Sequence, residues 1–219
     1  MSSASGKTPL ILLALAALLA GAFLFLSLDK PQRIAHTQQK IPGLLWPAPK
    51  PLTVFELRDQ NNTPFTLEDL KGRWSMLFFG YTHCPDVCPT TMTLLDSVVD
   101  ELKSEKKSAP QVVFITIDPE RDTPKHLADY ITYFNPDFRG LSGTPEKLSI
   151  LTGQLGILSM KVDDQKTGKE GYIMDHTASI FLIGPEARLI GVFSPPHNKE
   201  DIMQRYLEMR KFIEKQASS

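Results

Sequence analysis

Apolar residues are distributed unevenly along the chain, with one long run near its start and shorter runs afterwards. Residues 10–28 are apolar except for Gly21 and Ser27. Built as a helix with a rise of ~1.5 Å per residue, this run would extend over about 28 Å, close to the hydrocarbon thickness of a bilayer. The pattern therefore predicts a transmembrane anchor at residues 10–28, preceded by a short tail at residues 1–9.

The same run has a second interpretation, as a signal peptide that is removed. Residues 20–22, Ala-Gly-Ala, are compatible with cleavage at a small-residue site. The apolar run continues through residues 23–26, which a cleaved signal does not require, so an uncleaved anchor is favoured. No cysteine lies directly after the run, which argues against a lipoprotein. One basic residue precedes the run and four follow it before residue 52, so the positive-inside rule does not support an outward-facing domain.

Residues 29–51 lack helical or strand periodicity and contain five prolines. Proline at this density favours an extended spacer, so these residues are predicted to be a linker. Trp46 within it is expected either to dock on the domain or to lie at the membrane interface. Residues 52–219 then form one domain, long enough to bury a substantial core.

Short apolar runs alternate with helical periodicities over this domain. Strands are predicted at residues 53–57, in a short run ending near Leu67, and at 75–79, 112–117, 177–183 and 189–193, the last two forming a hairpin. Helices are predicted from the apolar spacing of residues 92–102 and from the start signals Thr123-Pro124, Thr144-Pro145 and Asn198. This order predicts an α/β fold in which a mixed sheet lies between helices.

The composition narrows the class of protein. The chain has 24 basic and 25 acidic side chains, so it lacks the basic surface that nucleic-acid binding requires. Hydrophobic residues make up 42% of the chain, which is typical of a globular rather than a disordered protein. Its only two cysteines, Cys84 and Cys88, lie in one five-residue segment, which indicates a functional site rather than the scattered disulfides of a secreted scaffold.

Both cysteines lie in residues 81–89, Tyr-Thr-His-Cys-Pro-Asp-Val-Cys-Pro, between a predicted strand and a predicted helix. A helix N-terminus favours the thiolate, which is the nucleophilic and metal-binding form of cysteine. On one helix, Cβ atoms four residues apart lie ~5–6 Å from each other, whereas a disulfide prefers about 3.8 Å. The Cys-x-x-x-Cys spacing is therefore compatible with a metal and, after local adjustment, with a reversible disulfide. An ionised Asp86 nearby would raise the pKa of both thiols.

Two thiolates rarely complete a metal site, so we expect one of the five histidines to join them. His176, just before the predicted strand 177–183, can approach the cysteines from another element. His83 is adjacent to Cys84, which makes simultaneous ligation by both awkward. The predicted ligands are therefore Cys84, Cys88 and His176. This set suits Cu(I) and can hold Cu(II), whereas zinc would need a fourth ligand or water.

Three segments in this order give the chain its resemblance to a known family. They are residues 78–89 (Phe-Phe-Gly-Tyr-Thr-His-Cys-Pro-Asp-Val-Cys-Pro), 118–124 (Asp-Pro-Glu-Arg-Asp-Thr-Pro) and 172–177 (Tyr-Ile-Met-Asp-His-Thr). With them the domain resembles the Sco/SenC family of copper-binding proteins. The resemblance implies a thioredoxin-like three-layer fold with a mixed central sheet and added strands, and copper on the two cysteines and the distal histidine. Residues 175–177 stand where ordinary thioredoxins carry a cis-proline, which weakens an interpretation as a general disulfide-exchange protein.

The resemblance also implies a function and a location. It implies a copper metallochaperone, rather than an enzyme, that delivers copper to the CuA centre of cytochrome c oxidase during assembly. The implied partners are the CuA-containing subunit and an upstream copper donor or thiol reductant. The implied location is the bacterial inner membrane, crossed once by the anchor, with the domain facing the periplasm. The short chain and the absence of an Arg/Ser-rich leader favour the bacterial over the mitochondrial setting.

Other functions and roles stay open at the level of the sequence. A thiol–disulfide reductase that keeps the CuA-site cysteines reduced would use the same cysteine pair without His176. A peroxiredoxin-like peroxidase would pair its reactive cysteine with Thr and Arg; Thr82 is present, but the motif contains no Arg. Asp118 and Asp122 have either a metal or partner role or a structural one at a helix start. Tyr172 is either a wall of the site or a core aromatic.

Overall fold

The structure is a computed structural model and describes residues 41–163 and 171–218. Its strands are β1 (Lys50–Pro51), β2 (Glu56–Asp59), β3 (Pro64–Thr66), β4 (Ser75–Gly80), β5 (Gln111–Thr116), β6 (Arg139–Ser142), β7 (Ser159–Asp163), β8 (Tyr172–His176), β9 (Ile180–Ile183) and β10 (Arg188–Phe193). Its α-helices are α1 (Val87–Ser104), α2 (Pro124–Phe134), α3 (Pro145–Leu155) and α4 (Lys199–Ala217), and a 3-10 helix, Leu67–Leu70, follows β3.

Eight strands form one mixed sheet in the order β1-β10-β9-β4-β5-β6-β2-β3. Strands β4, β5 and β6 are parallel neighbours, and the other pairs are antiparallel. All six residues of β4 are buried, as expected for a strand that is paired on both sides and covered by helices. The predicted mixed α/β sheet is therefore confirmed. The carboxyl end of β4 leads directly towards α1, which is where open α/β sheets place ligands.

Local hydrogen bonds set the helix starts that the sequence predicted. Thr123, Thr144 and Asn198 each accept a hydrogen bond from the backbone N–H three residues later. Pro124 and Pro145 occupy the first turn of their helices, where a missing N–H costs nothing. These three helices and their capping residues are confirmed.

Residues 41–51, the last part of the predicted linker, pack on the domain. The backbone N–H of Leu45 donates to the carbonyl of Ile190 at 2.8 Å, and β1 pairs with β10 at the sheet edge. The ring of Trp46 meets that of Phe212 edge-on, with centroids 5.2 Å apart. Since its backbone extends the sheet, this segment belongs to the folded domain, and Trp46 docks on the domain.

Two predicted strands begin later than the sequence pattern suggested. The run 53–57 enters the sheet only at Glu56, and the run 177–183 only at Ile180. The backbone N–H of Thr53 donates to a glutamine side chain of α3, and that of Thr177 donates to the carbonyl of the residue before β7. Because these donors bond outside the main sheet, the first residues of both runs are loops.

Strands β7 and β8 form a separate two-stranded hairpin that the sequence pattern did not predict. Every residue of β7 is exposed, including Met160 and Val162. β7 therefore lacks the buried apolar face from which a strand is normally inferred, and only Met174 of β8 is buried. The sequence pattern placed His176 directly before the strand that is now β9. In the structure it is instead the last residue of β8, and β9 begins only at Ile180.

The predicted anchor at residues 10–28 lies outside the described ranges. Among the helices of residues 41–163 and 171–218, none has the length and apolar character needed to cross a bilayer.

Candidate metal centre

The two cysteines lie at the junction between the end of β4 and the start of α1. Cys84 is half-buried in the connecting loop, whereas Cys88 is the second residue of α1 and fully buried. The backbone N–H of Cys88 donates to Sγ of Cys84 at 3.4 Å. Gly80 permits this packing, since a Cβ there would lie 2.8 Å from Sγ of Cys88 and 2.9 Å from the ring of Phe114. The strand end therefore sets the position of the buried thiol.

His176 reaches this pair from the β7–β8 hairpin. Its Nε2 lies 3.7 Å from Sγ of Cys88, and the ligand atoms of Cys84, Cys88 and His176 all lie within 4.8 Å of one another. Its Nδ1 lies 3.1 Å from the carbonyl oxygen of Thr177, which can only accept, so Nδ1 carries the hydrogen. Such a bond orients the ring and leaves Nε2 for a metal. The structure thus brings together the three side chains predicted as ligands.

The two thiols have opposite acidities. The hydrogen bond from Cys88 lowers the pKa of Cys84 to about 4, against the opposing effect of burial. The same hydrogen bond, together with burial and the negative charge on Cys84, raises the pKa of Cys88. The first proton therefore leaves Cys84, and the Cys88 thiol donates to the resulting thiolate. The half-exposed thiolate is the nucleophile of the pair and the first sulfur an arriving metal meets.

Two buried aromatic rings close the site on the side of the core. The ring centroids of Tyr81 and Phe78 lie 6.1 Å and 6.4 Å from that of His176, both edge-on. Burial raises the pKa of Tyr81, so its hydroxyl stays neutral. The role of these rings at the site is not evident from the sequence, because Phe78 belongs to the apolar strand β4 and Tyr81 directly follows it. Their packing holds the imidazole in place and keeps water from one side of it.

Asp122 holds the loop that carries Cys84. It is buried and accepts hydrogen bonds from the Thr82 hydroxyl at 2.6 Å and the Thr116 hydroxyl at 2.5 Å. It also accepts from the backbone N–H of Thr82 at 3.1 Å. The carboxylate thereby ties the cysteine loop to the end of β5. Its role is structural, and it is not among the three clustered ligands.

Asp118 holds the hairpin that carries His176. It is buried, pairs with Nε of Arg121, and accepts a hydrogen bond from the Tyr172 hydroxyl at 2.8 Å. Nη1 of Arg121 also donates to the backbone carbonyl of Tyr172 at 2.9 Å. Tyr172 therefore stacks on Arg121 and positions the hairpin instead of lining the thiols. The two acids thus have separate structural tasks, one for each half of the site.

Asp86 and three other histidines of the described residues lie outside the three-ligand cluster. Asp86 is exposed at the N-cap position of α1 and accepts from the Thr90 hydroxyl at 3.3 Å. His83 and His126 are exposed on the side of Cys84, with ring centroids 6.1 Å apart. Nε2 of His197 lies 2.8 Å from the carbonyl of Ala178, and this histidine is not among the three clustered ligands.

A mixed α/β sheet with two cysteines at a strand-to-helix junction, completed by a histidine from an added hairpin, defines a thioredoxin-like domain with a soft-metal site. The SCO1/SenC family model matches residues 48–211 of the chain. The chain belongs to the SCO1/SenC family.

Relatives and solved structures agree with this assignment. A "putative copper-binding protein" of Stutzerimonas stutzeri is 41% identical over 165 residues, covering 75% of this chain and 78% of the relative. The mitochondrial protein SCO2 of Saccharomyces cerevisiae is 34% identical over 154 residues, covering 70% of this chain and 51% of the relative. The chain therefore spans about half the length of that yeast protein.

Copper-bound structures are among the structural matches. Arabidopsis thaliana ScoI with copper bound superposes with a TM-score of 0.68 at 28% identity, covering 73% of this chain and 97% of that one. Bradyrhizobium japonicum ScoI with copper bound gives a TM-score of 0.63 at 32% identity, covering 74% and 98%. BsSco, described as a Sco-family cytochrome c oxidase assembly protein with a disulfide switch, gives 0.58 at 21% identity, which supports the fold alone. The thioredoxin-like fold expected from the sequence is confirmed.

Proposed function

We propose that this protein is a copper metallochaperone that carries copper on Cys84, Cys88 and His176 and delivers it to the CuA centre of cytochrome c oxidase during assembly. One observation carries the proposal: two sulfurs and one imidazole nitrogen converge within 4.8 Å of one another. Two thiolates and an imidazole form a soft, low-coordinate set that favours Cu(I) and also accommodates Cu(II). The copper-bound relatives support this choice of metal.

Copper is cargo in this function, so the site must both hold and release it. Cys88 is buried and lies against Gly80, which suits a ligand that stays in place. Cys84 is half-buried on a loop, so an acceptor's ligand can approach copper from its side. Release then proceeds by ligand exchange, in which a bond from copper to the acceptor forms as the bond to Cys84 breaks. No net oxidation or reduction is required.

The proposal extends to partners and location. The partners would be the CuA-containing subunit and an upstream copper donor or thiol reductant. The apolar run at residues 10–28 would anchor the chain in the bacterial inner membrane, with the domain facing the periplasm. Protease protection of the chain in intact spheroplasts and in inverted vesicles tests this orientation.

Copper titration of the full-length protein under anaerobic conditions tests the metal assignment. The Cu(II) form should show thiolate-to-copper charge-transfer absorption, and this band should correspond to one copper bound at the Cys84, Cys88 and His176 site. Cys84→Ser or Cys88→Ser should abolish or strongly shift this band, and His176→Ala should weaken affinity by at least about tenfold. His197→Ala is the matched control, because His197 lies against the Ala178 carbonyl and is not among the three clustered ligands. Tight binding that survives His176→Ala unchanged would contradict the proposed ligand set.

A thiol–disulfide reductase is the second candidate, favoured by the lowered pKa of the half-exposed Cys84. In this function the Cys84 thiolate attacks an oxidised CuA-site disulfide and forms a mixed disulfide. Cys88, as thiolate, then attacks Cys84, releases the second acceptor thiol and leaves a Cys84–Cys88 disulfide. An upstream dithiol would restore the reduced pair. Reduction of an oxidised CuA domain by the His176→Ala variant at the wild-type rate supports this candidate, whereas no reduction by the wild-type protein excludes it.

A further inference from the structure

The two histidines beside Cys84 share one cleft with it. This cleft has a volume of about 470 Å³, and His83, Cys84 and His126 line it together with Thr82, Asp129 and three aromatic side chains of α2. His83 belongs to the cysteine loop and His126 to the first turn of α2. Both histidines are exposed, so a solute can reach them. The exposed side of Cys84 is therefore approached past two imidazoles.

Hydrogen bonding determines which ring nitrogen of His83 is free. Its Nδ1 lies 3.1 Å from Oγ1 of Thr82, and that hydroxyl already donates its only hydrogen to Asp122 at 2.6 Å. Nδ1 of His83 must therefore be the donor, so it carries the hydrogen. Asp122 also lies 3.6 Å from the same Nδ1 and favours this arrangement. In the neutral ring, the lone pair is then on Nε2.

The same reasoning applies to His126. Its Nδ1 lies 3.3 Å from the backbone carbonyl of Arg121, and a carbonyl only accepts. His126 therefore also carries its hydrogen on Nδ1 and offers a lone pair on Nε2. Metal-ligating histidines characteristically donate the other ring N–H to a carbonyl, carboxylate or similar group. Both histidines donate such a hydrogen bond from Nδ1, His83 to the Thr82 hydroxyl oxygen and His126 to the Arg121 carbonyl.

The distance between the rings fits a shared metal. Two imidazoles bound to one metal through nitrogens at about 2 Å have ring centres roughly 5 to 6 Å apart, depending on the angle at the metal. The ring centroids of His83 and His126 are 6.1 Å apart. Both side chains are exposed, so packing does not prevent the ring rotations that would bring the two Nε2 atoms onto one ion.

We propose that His83 and His126 form a second metal site that binds copper through both Nε2 atoms at the mouth of the cleft leading to Cys84. Two nitrogens leave other coordination positions open for water or for a ligand of a donor or acceptor, as transient binding requires. This inference rests on the proposed copper-carrying function and adds a route by which copper reaches the thiolates. Copper passes from the histidine pair to Cys84 by exchange of a nitrogen ligand for sulfur, with no change of oxidation state.

The site is tested in a full-length background that lacks the three main ligands, Cys84→Ser with Cys88→Ser and His176→Ala. Titration with Cu(II) alone, followed by electron paramagnetic resonance, should give about one bound ion with nitrogen hyperfine structure. Adding His83→Gln and His126→Gln should weaken this binding by at least about tenfold. The matched controls are His36→Gln and His197→Gln, which replace the only other histidines of the chain. Binding that survives loss of the pair, or that the control substitutions weaken equally, would overturn the site.

A kinetic measurement tests whether copper reaches the thiolates by way of the histidine pair. In the protein with all three main ligands, His83→Gln with His126→Gln should slow the appearance of the thiolate-to-Cu(II) band several-fold and leave its final intensity unchanged. An unchanged rate would overturn the transfer role. If the band never forms in the wild-type protein, the proposed copper-carrying function fails instead. The Cu(II) titration in the background that lacks the three main ligands still decides the second site by itself.

Discussion

Arg121 and Tyr172 are joined by two contacts at once. The guanidinium carbon of Arg121 lies 3.7 Å from the centre of the Tyr172 ring, and Nη1 donates to the Tyr172 carbonyl at 2.9 Å. Tyr172 begins the strand that His176 ends, and the β7–β8 hairpin has no hydrogen-bonded strand of the main sheet beside it. Arg121 also lies over the ring of Tyr81, 5.5 Å from its centre. One cation thus connects the histidine hairpin with the cysteine loop.

Replacing this cation should loosen the hairpin more than the rest of the fold. Arg121→Leu removes the contacts to Tyr172 and leaves the buried Asp118 carboxylate without its charge partner. We expect a loss of roughly 2–3 kcal/mol in unfolding free energy, less than for a fully buried pair because Arg121 is partly exposed. Amide hydrogen exchange in β8 of the copper-free protein should accelerate, and copper should dissociate faster. Hydrogen exchange by mass spectrometry and chelator competition measure these effects.

Arg139→Leu is the matched control for this substitution. Arg139 pairs with the buried Asp59 at 2.9 Å between β6 and β2, outside the three-ligand cluster. It should cost somewhat less stability, because about half of the Arg139 side chain is exposed, and it should leave exchange in β8 unchanged. Equal acceleration of β8 exchange in both variants would show that Arg121 acts only through general stability.

Thr82 should matter through its hydroxyl alone. Thr82→Val removes the 2.6 Å hydrogen bond to Asp122 and leaves that buried carboxylate with fewer donors. We expect a loss of about 1–2 kcal/mol in stability and weaker copper binding, because the loop carrying Cys84 is held less firmly. Thr82→Ser keeps the hydroxyl and should restore both quantities close to wild type. Chemical denaturation and copper competition check this, and a serine variant as impaired as the valine one would contradict it.

The reactivity of Cys84 should be nearly independent of pH around neutrality. Its pKa is lowered to about 4 by the hydrogen bond from Cys88, so Cys84 is already a thiolate in the copper-free protein. Its alkylation rate should stay nearly constant between about pH 8 and pH 6, whereas an ordinary cysteine with a pKa near 8.5 slows about tenfold per unit over that range. Cys88→Ala removes the donor and should raise the pKa of Cys84. Iodoacetamide labelling followed by mass spectrometry measures the rate, and an ordinary profile in the wild-type protein would contradict the prediction.

Gly80 should not tolerate a side chain. Gly80→Ala places a Cβ 2.8 Å from Sγ of Cys88 and 2.9 Å from the Phe114 ring, in a tightly packed core. We expect a loss of about 1–3 kcal/mol in stability and weaker copper binding, because the buried sulfur must shift. Gly153→Ala in α3 is the control, since a Cβ there meets nothing within 4 Å, and it should stabilise the helix by up to about 1 kcal/mol. Thermal unfolding distinguishes the two, and a neutral Gly80→Ala would refute the argument.

The sequence by itself determined the features that depend on neighbours in the chain. Helix starts such as Thr123-Pro124 follow from a capping hydrogen bond between residues only three positions apart. The central strand β4 follows from a mostly apolar run. The cysteine pair was recognisable because the two cysteines are four residues apart at a predicted strand-to-helix junction, although the structure places only Cys88 on the helix. His176 could be selected as the partner, although its true element, the β7–β8 hairpin, could not be predicted, because every residue of β7 is exposed and only Met174 of β8 is buried.

Only the tertiary structure decided which distant groups meet. Asp118 bonds Tyr172, 54 positions later, and Asp122 bonds Thr82, 40 positions earlier, so their structural roles were invisible in the spacing of the motif. The packing of residues 41–51 on the sheet edge likewise depends on β10, far along the chain. The physical reason is the same in each case: capping and periodicity act within a few residues, whereas side-chain hydrogen bonds and sheet pairing depend on where the folded backbone brings its remote segments.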